Sequence, residues 1–185
     1  MKTAISMLRG INVGGQKKVP MDALKKCYES QGFTNVRTFI QSGNVVFDHK
    51  GRDTQSLSDE LEKGIRKSFG FDVTVVIRTR EEMLKVIRGF PFASREEDFS
   101  HVTFLSDSPS TVPAEEIERV RGRGEKLSIS GDVVYLYCPN GYGRTKLTNS
   151  LFEKRLGVAA TTRNWRTVNS LYALAVGGSA SDSYE

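Results

Sequence analysis

Residues 139–150 read PNGYGRTKLTNS. Two glycines, an arginine, a lysine and several hydroxyl side chains stand where a strand is expected to hand over to a helix. The chemistry this suggests is anion binding. A Gly-x-Gly turn, Thr145 as an N-cap and the free amides of a helix start can face the same anion as Arg144 or Lys146. The stretch is not a dinucleotide fingerprint, because Lys146 stands where the last glycine of G-x-G-x-x-G belongs. Two further junctions have the same character. LRGINVGGQKK (8–18) offers Arg9 and the amides of Gly14 and Gly15. It misses the phosphate-binding P-loop, because Gln16 and Lys17 replace the required Lys-Ser/Thr pair and Pro20 delays the helix start. A looser anion-binding nest and a plain connecting loop both remain open. TTRNWR (161–166) offers Arg163 and Asn164, with Thr161 or Thr162 as a cap for the last helix and Arg166 one turn beyond Arg163.

Other chemistries find less support. His49 and His101 are the only two histidines, and neither falls in a metal-ligand spacing, so no metal or redox cofactor is expected. No Ser/His or Cys/His arrangement is visible. Asp22, Asp132 and Glu153 are available acids or bases that nothing singles out. Cys27 and Cys138 belong to no C-x-x-C and read as reduced, buried thiols. Tyr135 and Tyr137 share one face of a strand, but the aromatic signature of RNA-recognition plaits is absent. Packing under a helix or against the other plait explains them better, and Trp165 is expected in the core.

The chain that must position these residues has 185 residues, 38% hydrophobic and 26% charged, with a net charge of +5. That composition supports a packed core and a soluble globular class. No apolar run reaches the roughly 18 residues of a membrane span. The N-terminus reads as a first strand rather than a signal peptide, so a cytoplasmic location is expected. Charge is segregated. Residues 1–80 carry 14 Lys/Arg against 8 Asp/Glu, 81–118 carry 3 against 9, and 119–166 carry 10 against 3. Two positive segments separated by a negative one can share a surface for an anionic partner, or simply be solvated.

The order of elements follows from periodicity and punctuation. TAISML (3–8) is a strand. Pro20 opens a helix with Ala23, Leu24, Cys27 and Tyr28, which Gly32 ends. VRTFIQ and NVVFD flank Ser42-Gly43 as a hairpin. Leu57, Leu61, Ile65 and Phe69 mark a helix stopped by Gly70, and VTVVIR (73–78) is a strand. Thr79 and Glu82 form a capping box for a helix ending before Pro91. The same order then repeats: HVTFLS (101–106), a helix from Pro113 with Ile117 and Val120, KLSIS and DVVYLYC around Ser130-Gly131, a helix within TKLTNSLFEKRLG, a short strand AATT, and a last helix with Trp165, Val168, Leu171 and Tyr172. SGNVVF (42–47) matches SGDVVY (130–135). The reading is an α+β fold of two tandem ferredoxin-like β-α-β-β-α-β plaits from an internal duplication, plus a C-terminal helix. The expected parts are a first plait (1–79), a connecting helix and linker (80–98), a second plait (99–162), and a C-terminal helix with a disordered tail (163–185).

LRGINVGG, VPMDAL, GFTNVRTFIQSGNVVF, GYGRTKLTNSLFEKRLGV and ATTRNW together resemble the bacterial domain-of-unknown-function family numbered 1697, over about Leu8 to Leu174. The resemblance implies a two-plait α+β fold in a bacterial cytoplasm. It implies no activity, substrate, cofactor or site residue. The residues themselves favour binding of a phosphorylated small molecule or nucleotide by Arg9, Gly14, Gly15, Arg144, Lys146, Arg163 and Asn164. Non-specific nucleic-acid binding through the basic segments, and an enzyme acting on a phosphorylated metabolite, are the alternatives.

Overall fold

A computed structural model describes residues 1–92 and 96–177. Residues 93–95 of the expected linker and 178–185 of the expected tail lie outside the described residues. The protein is α+β, with two four-stranded antiparallel sheets and six α-helices among the described residues. The chain forms two units, Met1–Lys85 together with the stretch from Ser170 onward, and Val86–Asn169.

In the first unit, β1 (Lys2–Leu8), α1 (Met21–Ser30), β2 (Thr34–Phe39), β3 (Asn44–His49), α2 (Thr54–Phe69) and β4 (Val75–Thr79) follow in order, and α3 (Arg80–Arg88) starts directly after β4. The sheet order is β2-β3-β1-β4, all neighbours antiparallel. The helices form where apolar residues recur at helical spacing. Leu24, Cys27 and Tyr28 are the buried stripe of α1, and Leu57, Leu61 and Ile65 that of α2. Asp53 caps α2 by accepting from the Ser56 amide, and Gly70 ends it at φ 80°, with its amide on the Arg66 carbonyl. These stripes meet Ala4, Leu8, Val45, Phe47 and Ile77 of the sheet in one core. Phe47 sits edge-on to Tyr28 and Phe33, at ring distances of 5.3 and 4.8 Å. The Thr79–Glu82 capping box forms as expected: each residue's amide donates to the other's side chain, at 2.8 and 3.1 Å.

The second unit contains β5 (Ser100–Leu105), α4 (Ala114–Glu118), β6 (Lys126–Ser130), β7 (Val133–Tyr137), α5 (Asn149–Leu156) and β8 (Ala160–Asn164), with sheet order β6-β7-β5-β8. The helix α6 (Trp165–Ala175) follows. Leu105, Ile117, Val134, Leu136, Phe152 and Leu156 make its core. Four local expectations are corrected. The helix opened by Pro113 ends at Glu118, so Val120 lies beyond it. Thr145 does not cap α5; Thr148 does, accepting from the Leu151 amide, and residues 142–144 form a separate 3-10 turn. Arg163 and Asn164 are strand residues, because β8 keeps pairing with β5 through Val102↔Arg163 and His101↔Asn164. The cap of α6 is therefore neither Thr161 nor Thr162 but Asn164, whose Oδ1 accepts from the Thr167 amide at 2.8 Å.

Strand order repeats between the units, but the matching hexapeptides do not superpose. The β2–β3 turn spans Ile40–Gly43 between paired Phe39 and Asn44. The β6–β7 turn has only Gly131 and Asp132 between paired Ser130 and Val133. Leu8 donates its amide to the Gly43 carbonyl, and Leu105 donates to that of Asp132. Gly43 thus corresponds to Asp132, and the sequence match is one residue out of register. A one-residue slip reverses faces. Phe47 enters the first core, whereas Tyr135, its match in sequence, donates its hydroxyl to the Val86 carbonyl.

The two turn glycines should therefore respond differently to substitution. Both have positive φ, which costs an alanine about 1–2 kcal/mol. A Cβ on Gly43 would also lie 2.7 Å from Ile11 Cδ1 and 2.8 Å from Leu8 Cβ, while one on Gly131 meets nothing within 4 Å. Overpacking adds about 1–3 kcal/mol. Urea unfolding should show Gly43→Ala to be the more destabilising by at least about 1 kcal/mol; equal losses would contradict the register assigned here.

Candidate functional site

The residues selected from sequence divide between the units. Arg9, Gly14 and Gly15 lie in the first. The Arg9 amide donates to the Thr74 carbonyl, continuing the β1–β4 ladder. Gly14 and Gly15, at φ 60° and 76°, are the central pair of a tight turn closed by the Gln16 amide on the Val13 carbonyl. Asn12 ties this loop down: its Nδ2 donates to the carbonyls of Val19 and Gln41, and its Oδ1 accepts from the Val19 amide. The loop is a hairpin and not the lead-in of a helix.

Arg144, Lys146, Arg163 and Asn164 lie in the second unit. The 139–150 stretch is anchored on its own sheet. Thr162 Oγ1 donates to Asn149 Oδ1 at 2.6 Å, accepts from the Tyr142 hydroxyl at 3.0 Å, and so accepts from Thr103 at 2.7 Å. That saturates the hydroxyl. Tyr142 also stacks on His101 with ring centroids 4.8 Å apart. Thr145 Oγ1 accepts from the Leu147 amide. Arg163 is buried, and its Nη1 donates to Thr161 Oγ1 and the Thr162 carbonyl. Asn164 is occupied as the α6 cap. Arg144 and Lys146 are exposed. Cys138 is no nucleophile: burial, and then the Glu125 carboxylate, push its thiol up to about 11.

An enclosed site lies elsewhere, wholly within the first unit. A cleft of about 550 Å³ is lined by Lys2, His49, Arg52, Asp53, Thr79 and Arg80, among others. Its volume is that of a small-molecule site. Sheet pairing builds it. Lys2 pairs with His49, and Ala4 pairs with Thr79. The start of β1 therefore meets the ends of β3 and β4, from which α2 and α3 leave. Cations reach the cleft from three elements: Lys2, Arg52 and Arg80. Arg52 pairs with Glu60, and Arg80 lies 3.9 Å from Glu81; both guanidinium groups are about half exposed, so these pairs hold weakly. The carboxylates are bound to their own donors. Asp53 takes the amide and hydroxyl of Ser56, and those bonds hold it below the usual carboxylate range. Burial pushes Asp48 up, but hydrogen bonds from Asn35 and Thr3 outweigh it and the net shift is downward.

His49 is only 6% exposed, and its Nδ1 is buried without a hydrogen-bond partner. Burial, and then Lys2, hold its pKa below the usual histidine value, with Arg52 acting the same way. The arrangement is a cationic cleft lined in part by a histidine whose charged form is disfavoured. Sequence reading passed over Lys2, His49, Arg52 and Arg80. The signal available was local: Arg52-Asp53 and Thr79-Arg80 are strand-to-helix junctions of the kind sought elsewhere. A more open groove of about 700 Å³ shares Thr3 and Arg80 with the cleft.

A family model described as "Protein of unknown function (DUF1697)" matches residues 1–135, ending before Gly141. None of the curated proteins matches the chain. Among solved structures, the conserved bacterial protein SP0830 from Streptococcus pneumoniae is 21% identical with a TM-score of 0.69, over 94% of this chain and 98% of that one. At that identity the likeness speaks for the fold.

Both histidines carry a lowered pKa, His101 through burial. The unfolded chain therefore binds protons at a higher pH than the folded one. Stability is full above about 6.5 and is lost as pH falls through that value toward the folded pKa. Thermal unfolding should show a falling midpoint between pH 7.5 and 5.5, and His49→Gln should flatten the slope. A midpoint that rises with acidification would contradict it.

Proposed function

The chain belongs to the family described as protein of unknown function, DUF1697, and from that premise we propose that it binds a small phosphorylated ligand in the first-unit cleft. The observation that carries this reading is the convergence of Lys2, Arg52 and Arg80 on one enclosed cavity beside the starts of α2 and α3. Guanidinium groups bind phosphate oxygens in forked pairs, and the amides of a first helical turn have no carbonyl of their own helix to reach. The ligand class is the one expected from sequence, at junctions other than those chosen there. Arg144 and Lys146, exposed at the α5 junction, are the candidates for an anion contact in the second unit. No described helix is long and apolar enough to cross a membrane.

The same reading takes the two sheets as ferredoxin-like plaits descended from one duplicated unit. The common strand order supports it, as do the matching places of Thr79 and Asn164, each a strand end that caps the next helix. The hexapeptide match does not, since it is out of register.

Ligand binding to the folded state alone raises its unfolding midpoint. Inorganic phosphate, a sugar phosphate or a mononucleotide should do so, and calorimetry should then show Arg52→Ala/Arg80→Ala at least tenfold weaker. Each charge-assisted hydrogen bond contributes about 1.5–3 kcal/mol. Stabilisation by none of these compounds, or undiminished affinity in the double variant, would sink the proposal. Binding of duplex DNA alone, with a steep salt dependence, would favour the nucleic-acid alternative.

A further inference from the structure

We propose that the cleft selects a dianionic phosphate monoester and that His49 takes up a proton when it binds. The inference rests on the phosphate reading above and adds its charge state and a coupling residue. Geometry carries it. His49 closes β3 opposite Lys2 and is one of the residues lining the cleft, and its Nδ1 is a buried polar atom with no partner in the protein. Buried polar groups are almost always satisfied, so an orphan on a cleft-lining residue marks the group whose state a bound ligand would change.

The groups facing the imidazole come from every element around it. The N-terminal amine of Met1 and Lys2 stand at the start of β1, Arg52 and Asp53 at the start of α2, and Arg80 and Glu81 at the start of α3, while Asp48 acts on the ring from the neighbouring position of its own strand. Asp48 works against the cations at the ring, but burial and then Lys2 outweigh it, with Arg52 and the N-terminal amine acting in the same direction as Lys2. That field disfavours the charged imidazole, in the same direction as its lowered pKa. A dianion among the cations reverses it. An opposite charge within about 4–6 Å favours the protonated ring tenfold or more. A phosphodiester brings half the charge and fewer oxygens, and so shifts the ring less. By linkage, affinity for the dianion itself rises as pH falls through the His49 titration, while the monoester's own second ionisation, at about 6, withdraws the dianion over the same range.

With only two histidines in the chain, His49 and His101 can each be followed by NMR, assigned with His49→Gln. The test titrates the full chain from pH 5 to 8 in saturating methyl phosphate, in dimethyl phosphate, and in chloride at matched ionic strength. Calorimetry establishes binding separately. Methyl phosphate should raise the His49 midpoint by at least 0.5–1 pH unit, corresponding to a roughly three- to tenfold gain in proton affinity. Dimethyl phosphate should raise it less, and His101 should not move. Calorimetric binding of methyl phosphate with an unmoved His49 midpoint would overturn this inference and leave the phosphate reading standing. No calorimetric binding would overturn both. A larger shift with dimethyl phosphate would overturn the dianion preference.

Discussion

The arrangement depends on β1 being antiparallel to both of its neighbours. Because β3 and β4 each pair with β1, they run in one direction and end at the same border of the sheet. Each is followed by a helix, so two helix starts are brought to that border without any contact between the helices being needed. Arg52 and Arg80 arrive with them, and Lys2 and His49 are facing residues in the first rungs of the ladder. The carboxylates of Asp53 and Glu82 already cap the two helices. What remains for a ligand is side-chain cation and first-turn amide.

The same place in the second sheet is plugged. By strand pairing His101 corresponds to Ala4, Leu136 to Phe47, and Asn164 to Thr79. Where the first unit has the small Ala4 lining a cleft, the second has an imidazole with the Tyr142 ring stacked on it. The Thr103–Thr162–Asn149 hydroxyl network then locks the 139–150 stretch in position. Its glycines and hydroxyls serve this anchoring.

Most of the element order was legible because it is written locally. Alternating apolar residues mark strands, four-residue spacing marks α2, and Gly70 and Gly157 adopt the left-handed conformation that ends their helices. A capping box was legible too, since Thr79 and Glu82 are three residues apart. Choosing between Thr145 and Thr148 was not, because both are followed by helix-compatible residues and the choice is made by Tyr142 docking on the sheet. Nor was β8's extension through Asn164, which depends on its partner β5. The cleft was least legible of all. Lys2, His49, Arg52 and Arg80 are spread over 79 residues, and only the pairing register assembles them. The hexapeptide match shows the converse. Six similar residues in a row suggest common descent, but the turn lengths place them one residue out of register.

The division of the chain also orders events during synthesis. The first unit includes Met1–Lys85 and the chain from Ser170 onward, with the whole second unit made in between. A ribosome emits all of β1 to β4, and the cleft they frame, long before the last piece of that unit leaves the exit tunnel. The second unit, continuous from Val86 to Asn169, has its complete set of partners first. The nascent N-terminal sheet must therefore stay soluble through the translation of Val86–Asn169, at about 5–20 residues per second. Emergence of the stretch that begins at Ser170, rather than of the early strands, is the moment at which the unit gains its last part.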